Sequence, residues 1–106
     1  MAGYWEFPGG KCEPCEDPDA TAERECLEET GLAVKALALR TLITHKYPHA
    51  WVELSYYDCE TQQPDADPDP VTGFLWVSAS DLPALTFPES NTPVVAALAR
   101  EFAPPA

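Results

Sequence analysis

Three glutamates, Glu25, Glu28 and Glu29, stand at i, i+3 and i+4 along the chain. On a helix that spacing sets all three carboxylates on one face. Like charges placed so close destabilise an isolated helix, and a divalent cation that prefers oxygen ligands reverses the sign of the effect. Arg24 stands four residues before Glu28, close enough to pair with it. Glu16 lies in the stretch that precedes the helix. Gly9 and Gly10 permit a close backbone approach to a ligand, and a carbonyl there can complete a metal shell. The plainer reading of the same residues is a solvated helix face carrying ordinary surface glutamates.

The elements that must position these groups follow from local signals. Asp17 is a good helix N-cap, Pro18 suits the first helical position, and Asp19 complements the positive helix end. The helix runs to Thr30, and Gly31 is the expected left-handed stop. Its apolar side is a narrow stripe of Ala20, Leu27 and Cys26. Residues 33–45 and 50–59 read as strands joined by a turn around Pro48. Residues 60–70, with four acids and three prolines, read as an exposed loop. Residues 72–78 read as a short third strand, and 79–85 as a turn or short helix. A last helix over about 93–102 presents Val94, Val95, Leu98 and Phe102 on one face.

The 106 residues carry no internal repeat and no boundary, so one domain over 1–106 is expected. Apolar residues make up 45% of the chain, enough for a core. The net charge of −12 opposes binding to a nucleic acid polymer, which needs basic patches, and to an anionic membrane surface. No apolar run is long enough to span a bilayer, and the first residues lack the pattern of a secretory signal. Four cysteines without such a signal suggest reduced thiols and a cytoplasmic location. Cys12-x-x-Cys15 has half the spacing of a zinc knuckle without the other half. Tolerated thiols or a redox pair are the other readings.

The order Gly10, Glu16, Arg24-Glu25-Cys26, Glu28-Glu29, Gly31-Leu32 reproduces the Nudix box, GX5EX7REUXEEXGU, with U a bulky aliphatic residue. All seven fixed identities are present over residues 10–32, and Cys26 at a U position is smaller than usual. At about one in fifteen per position, such a match arises by chance about once in 10^8 windows. The chain therefore resembles the Nudix hydrolases. Trp5-Glu6-Phe7-Pro8-Gly9-Gly10-Lys11, Tyr47-Pro48, Trp76-Val77-Ser78 and Phe87-Pro88-Glu89-Ser90-Asn91-Thr92-Pro93-Val94 extend the resemblance to MutT-like members.

The resemblance implies an α/β fold, an α/β/α sandwich with a mixed sheet. Nudix domains usually carry a further strand before the Trp-Glu-Phe-Pro-Gly-Gly-Lys segment. The expectation is a Nudix fold shortened by that strand, with a homodimer covering the bare sheet edge. The implied activity is Mg2+-dependent hydrolysis, with Mn2+ as a substitute, of a nucleoside triphosphate such as 8-oxo-dGTP to the monophosphate and pyrophosphate. Other nucleoside diphosphate derivatives, ADP-ribose or a dinucleoside polyphosphate, are the alternative substrates, and a non-catalytic nucleotide-binding module is the alternative of another class. Glu25, Glu28 and Glu29 are then the metal ligands with the Gly9 carbonyl. Glu16 takes a second ion or holds Arg24, and Arg24 orients the glutamates. The general base of relatives falls at Pro70, so Asp69, Asp67 or a box glutamate would serve. Asn91 matches the residue that reads the purine edge, or else caps the last helix. Phe7 and Tyr47 are candidate apolar walls for the base or core residues. Lys11 contacts a phosphate or simply faces solvent. The small-molecule nucleotide is the expected partner.

Overall fold

Pro18 and Gly31 bracket the first helix in the computed structural model of the chain, which describes residues 3–104. This helix, α1, spans Pro18–Thr30. Asp17 takes the extended N-cap conformation, but its side chain makes no capping bond. Its carbonyl instead accepts the Thr21 N–H at 3.0 Å. At the far end Gly31 adopts φ 80° and donates its N–H to the Leu27 carbonyl at 2.9 Å, a geometry that glycine adopts without a Cβ penalty.

The expected apolar stripe does not hold. Ala20 and Leu27 are exposed, and the buried α1 residues are Thr21 and Thr30. Two polar side chains can be buried there because each hydroxyl is paired. Thr30 Oγ1 donates to the Cys26 carbonyl at 2.6 Å and accepts the Leu32 N–H at 3.1 Å. Thr21 is bonded at the loop that precedes the helix.

Two strands follow, β1 over Val34–Tyr47 and β2 over Ala50–Thr61, each two residues longer at its far end than the sequence pattern suggests. They pair antiparallel, Tyr47 opposite Ala50 and Val34 opposite Thr61, across a two-residue link of Pro48 and His49. The register shifts twice, between Ala36 and Ala38 and between Leu39 and Thr41, which raises local twist. Glu23 of α1 accepts the Ala36 N–H at 2.8 Å beside the first shift, tying helix to sheet. Arg40 sits at the second, where its Nε and Nη2 grip the two Asp58 carboxylate oxygens at 2.5 and 3.0 Å.

The α/β class holds, with helices and strands both present, but among the described residues the third strand expected over 72–78, and with it a mixed sheet, is not formed. The sheet among the described residues is the β1–β2 hairpin. Residues Pro70–Thr72 make a 3-10 turn closed by Gly73 at φ 79°, and the chain beyond it is irregular up to Ala79. A proline that lacks an N–H and a left-handed glycine both work against a ladder there.

The chain divides into two compact units, one over Pro8–Leu75 and one made of Met1–Phe7 with Trp76–Ala106. The first holds α1 and the hairpin, with Leu32 and Val34 buried. In the second, the helix α2 over Thr92–Glu101 packs on a 3-10 segment, Ala79–Ala84, and buries Val94 and Val95 with Leu82. Phe102 caps α2 and remains exposed rather than joining its apolar face. The Trp5 N–H donates to the Thr86 carbonyl at 2.8 Å, which ties the early segment to the late one. No helix among the described residues is long and apolar enough to cross a membrane.

Candidate active site

The site is built around one cation. Arg24 projects from the second turn of α1 toward the loop that precedes the helix. Its Nε and Nη2 donate to the two Glu16 carboxylate oxygens at 2.8 and 2.9 Å, a two-pronged pairing that fixes direction as well as distance. Nη2 also donates to the Lys11 carbonyl at 3.1 Å. Nη1 donates to Glu25 at 2.7 Å and, at 3.3–3.4 Å, to both oxygens of Glu28. Glu13 stands 3.8 Å away. A single guanidinium thus reaches the carboxylates of Glu16, Glu25 and Glu28 and the backbone of the glycine-rich loop.

That loop meets the helix directly. The Gly9 N–H donates to Glu29 at 2.6 Å. A Cβ placed on Gly10 would lie 2.5 Å from the Glu25 carboxyl carbon, so only glycine leaves room for that carboxylate. Gly9, by contrast, has open space where a Cβ would go.

Glu16 is the most constrained acid, its side chain 15% exposed. It accepts from Arg24, from the Glu13 N–H at 3.0 Å and from the Thr21 hydroxyl at 2.7 Å. These donors favour the ionised form, the Arg24 guanidinium most, and hold the Glu16 carboxyl at about 2 against an ordinary 4.5. The same pairing, Glu16 first and then Glu25, raises Arg24 above its usual range. Thr21 has one hydroxyl proton, with Cys12 Sγ at 3.1 Å and the Asp17 carbonyl at 3.2 Å as further neighbours. The charged and nearest acceptor, Glu16, is the strongest of the three.

The residues fit a divalent cation in their chemistry. The donor set is all oxygen, which suits hard ions of the Mg2+ type. One guanidinium does not neutralise Glu16, Glu25 and Glu28 together. The Glu25 carboxylate is pressed against the glycine backbone in a cradle that a Cβ would fill. Among the described residues no group of three acidic, histidine or cysteine side chains converges as a ligand cluster. The carboxylates are turned instead to Arg24 and to the Gly9 N–H.

The structure thus brings together Gly9, Gly10, the Lys11 carbonyl, Glu16, Arg24, Glu25, Glu28 and Glu29. The other expected residues are placed differently. Asp69 donates its N–H to the Thr30 carbonyl at 2.9 Å, and its carboxylate accepts the Val71 N–H at 3.1 Å, capping the 3-10 turn. Asp67 is exposed in the same loop. Phe7 stacks on Phe87 with ring centroids 4.9 Å apart, a packing role within the second unit. Asn91 occupies the N-cap position of α2, yet its side chain makes no capping bond. Tyr47 closes β1 with its ring edge against His45 at 4.5 Å and is exposed. Lys11 contributes its carbonyl, and its side chain is exposed.

Thr21 and Glu13 are part of the site and were not among the sequence candidates. Thr21 lies one turn before Arg24 and Glu25 on the same helix face, a spacing that pointed to it. Glu13 has its carboxylate 3.8 Å from Arg24 and donates its backbone N–H to Glu16, and no side-chain pattern reveals the second contact.

The chain matches the family described as NUDIX domain over residues 1–97, and it belongs to that family. It is similar to an 8-oxo-dGTP diphosphatase of Escherichia coli (strain K12), 32% identical over 100 residues, which cover 94% of this chain and 78% of the relative. A protein of the same name from Buchnera aphidicola subsp. Acyrthosiphon pisum (strain APS) is 33% identical over 96 residues, 89% of this chain and 76% of that one. A third, from Proteus vulgaris, is 40% identical over 57 residues, 54% of this chain. That match spans about half, 51%, of the relative's length.

Proposed function

We propose that this chain is a hydrolase of a nucleoside triphosphate, dependent on Mg2+ or Mn2+, releasing the nucleoside monophosphate and pyrophosphate. The observation that carries this reading is the Arg24 hub, which gathers the carboxylates of Glu16, Glu25 and Glu28 against a glycine-rich loop. The three similar proteins are each named 8-oxo-dGTP diphosphatase, and an oxidised guanine deoxynucleotide is the first substrate to test. Asn91, whose amide can both donate and accept, is the residue assigned to reading the base.

Glu25, Glu28 and Glu29 would hold the divalent cation, with the Gly9 carbonyl as a backbone ligand. When bound, the cation supplies charge neutralisation at the anhydride oxygens and a lower pKa for bound water. The chain's own groups do the rest. Glu16 fixes the Arg24 guanidinium from two sides, and Arg24 in turn sets the direction of Glu25 and Glu28. In the reaction the water oxygen bonds to phosphorus, the bridging P–O bond breaks, and pyrophosphate leaves. The water's proton needs a carboxylate. Asp69 already accepts from Val71, and Glu25 and Glu29 are held at 2.7 and 2.6 Å. Glu28, 57% exposed and held by its longer contacts, is the acid assigned to take that proton.

The test is release of pyrophosphate and phosphate by the purified chain from a panel of triphosphates, 8-oxo-dGTP, ADP-ribose and a dinucleoside polyphosphate, with Mg2+ and then with EDTA. Metal-dependent pyrophosphate from one triphosphate upholds the reading. Turnover of ADP-ribose alone moves the substrate class. Silence across the panel from a chain that melts cooperatively overturns it in favour of a binding module.

A further inference from the structure

Cys12 and Cys15 have no part in the reading above, yet both lie in the loop that feeds the hub. Both are free thiols and both are exposed. The chain turns between them. The Glu16 N–H bonds the Glu13 carbonyl at 3.0 Å, with Pro14 in the second turn position and Cys15 in the third. Cys15 takes φ 64°, the only left-handed non-glycine residue described. A proline followed by a left-handed residue is the pattern of a type II turn, whose third position favours glycine. A cysteine there carries backbone strain that a glycine would not. Its partner, Cys12, lies on the hub itself, with its Sγ 3.1 Å from Thr21 Oγ1, which donates to Glu16.

We propose that Cys12 and Cys15 form a reversible dithiol–disulfide pair whose state is transmitted through Thr21 and Glu16 to Arg24. The oxidant is a small organic disulfide. The two thiols give up two electrons and two protons, the internal S–S bond forms, and the reagent leaves as two thiols. Closing the bond ties the Cys12 side chain to Cys15 and turns the thiol sulfur that faces the Thr21 hydroxyl at 3.1 Å into a disulfide sulfur. Thr21 then resets its hydroxyl, and the Glu16–Arg24 pair follows. Cys26 and Cys59 lie outside this circuit. Cys26 lies 3.6 Å from Thr30, and burial pushes the Cys59 thiol up, away from the reactive thiolate. The pairing rests on two exposed thiols with two residues between them across a turn, and only its effect on turnover rests on the hydrolase reading.

The experiment equilibrates the 106-residue chain in glutathione–glutathione disulfide buffers, alkylates the remaining thiols and maps the products by mass spectrometry. In parallel, the Arg24 Nε–H resonance is followed by NMR. The expected result is one internal Cys12–Cys15 disulfide, with Cys26 and Cys59 alkylated, and an Arg24 signal that shifts on oxidation and returns on reduction. In Cys15→Ser the oxidant leaves the Arg24 signal where it was. In Thr21→Val the disulfide still forms but the signal no longer answers to it, and Thr21→Ser, which keeps the hydroxyl, restores the response. Separate glutathione adducts on the two sulfurs, pairing with Cys26 or Cys59, or an Arg24 signal unmoved in the unsubstituted chain would each overturn the proposal. A chain that forms the pair and shifts the Arg24 signal, yet hydrolyses no nucleotide, upholds the pair and removes the hydrolase reading.

Discussion

Replacing Gly10 by alanine separates placement of the carboxylate from stability of the fold. The new Cβ would sit 2.5 Å from the Glu25 carboxyl carbon and 2.6 and 2.8 Å from its two oxygens. Non-bonded carbon atoms settle at about 3.5–4.0 Å, so the carboxyl must retreat by about 1 Å. A displacement of that size at a catalytic group costs on the order of 10²-fold in rate, or about 2.7 kcal/mol of barrier. Stability should barely change. Gly10 does not use a left-handed φ, and alanine at a compatible position stabilises by about 0.4–1 kcal/mol through the unfolded chain. Glu25 is a flexible side chain and can swing away, losing a partly exposed contact to Arg24 worth about 1 kcal/mol or less. The two effects offset, so the melting temperature should stay within about 5 °C. The assay is metal-dependent pyrophosphate release beside a thermal melt, with Gly9→Ala as the control. At Gly9 a Cβ meets nothing and the N–H to Glu29 is kept. Full kcat in Gly10→Ala, or an equal loss in Gly9→Ala, would refute the reasoning.

Further outcomes can be checked on the same samples. Arg24→Lys removes the paired donors to Glu16 and should lower kcat by about 10–100-fold, more than it raises KM. Glu29→Gln keeps the Gly9 N–H partner in place while removing the charge, so turnover should drop by orders of magnitude with the melt preserved; unchanged turnover would withdraw Glu29 from the metal ligands. Glu16 has its folded pKa depressed to about 2 from 4.5, so its contribution to stability is complete above pH 4.5 and is lost as pH falls through the window to about 2. Glu16→Gln should therefore flatten the acid limb of the stability profile, and a profile of unchanged slope would remove Glu16 from the hub. Asp58→Asn breaks the grip on Arg40, whose side chain is 12% exposed, and should destabilise by about 1–2 kcal/mol in urea titrations, the partial exposure of Asp58 discounting the fully buried value.

The box helix was legible because its signals are local and redundant. Pro18 opens it, Gly31 closes it, and three acids at helical spacing set one face. The hairpin was legible from its β-branched and aromatic runs around Pro48. What escaped the sequence reading were contacts that depend on where the chain turns. Thr21 and Thr30 are buried in place of Ala20 and Leu27 because their hydroxyls also find partners beyond the helix, Glu16 before it and the Leu32 N–H after it. The stretch 72–78 has strand-like residues but no neighbouring strand among the described residues, and β propensity without a partner decides little. That one Asp69 carboxylate oxygen accepts a backbone N–H two residues on was likewise not visible from its place in an acidic loop. The link from Cys12 to Thr21 joins residues nine apart through a turn and could not be read from spacing.

The two compact units differ in how the chain enters them, and that difference bears on the order of synthesis. The unit with the carboxylates is one continuous run, Pro8–Leu75. Its long hairpin closes over a two-residue link, and pairings of such short sequence separation form on the order of 1–10 μs. At a ribosome that adds about 5–20 residues per second, this unit can therefore be finished while later residues are still being made. The other unit cannot: the Trp5 N–H must wait for the Thr86 carbonyl, and Phe7 for Phe87. A nascent chain halted after Leu75 should already protect the Arg24 network from exchange while leaving Trp5 without its partner.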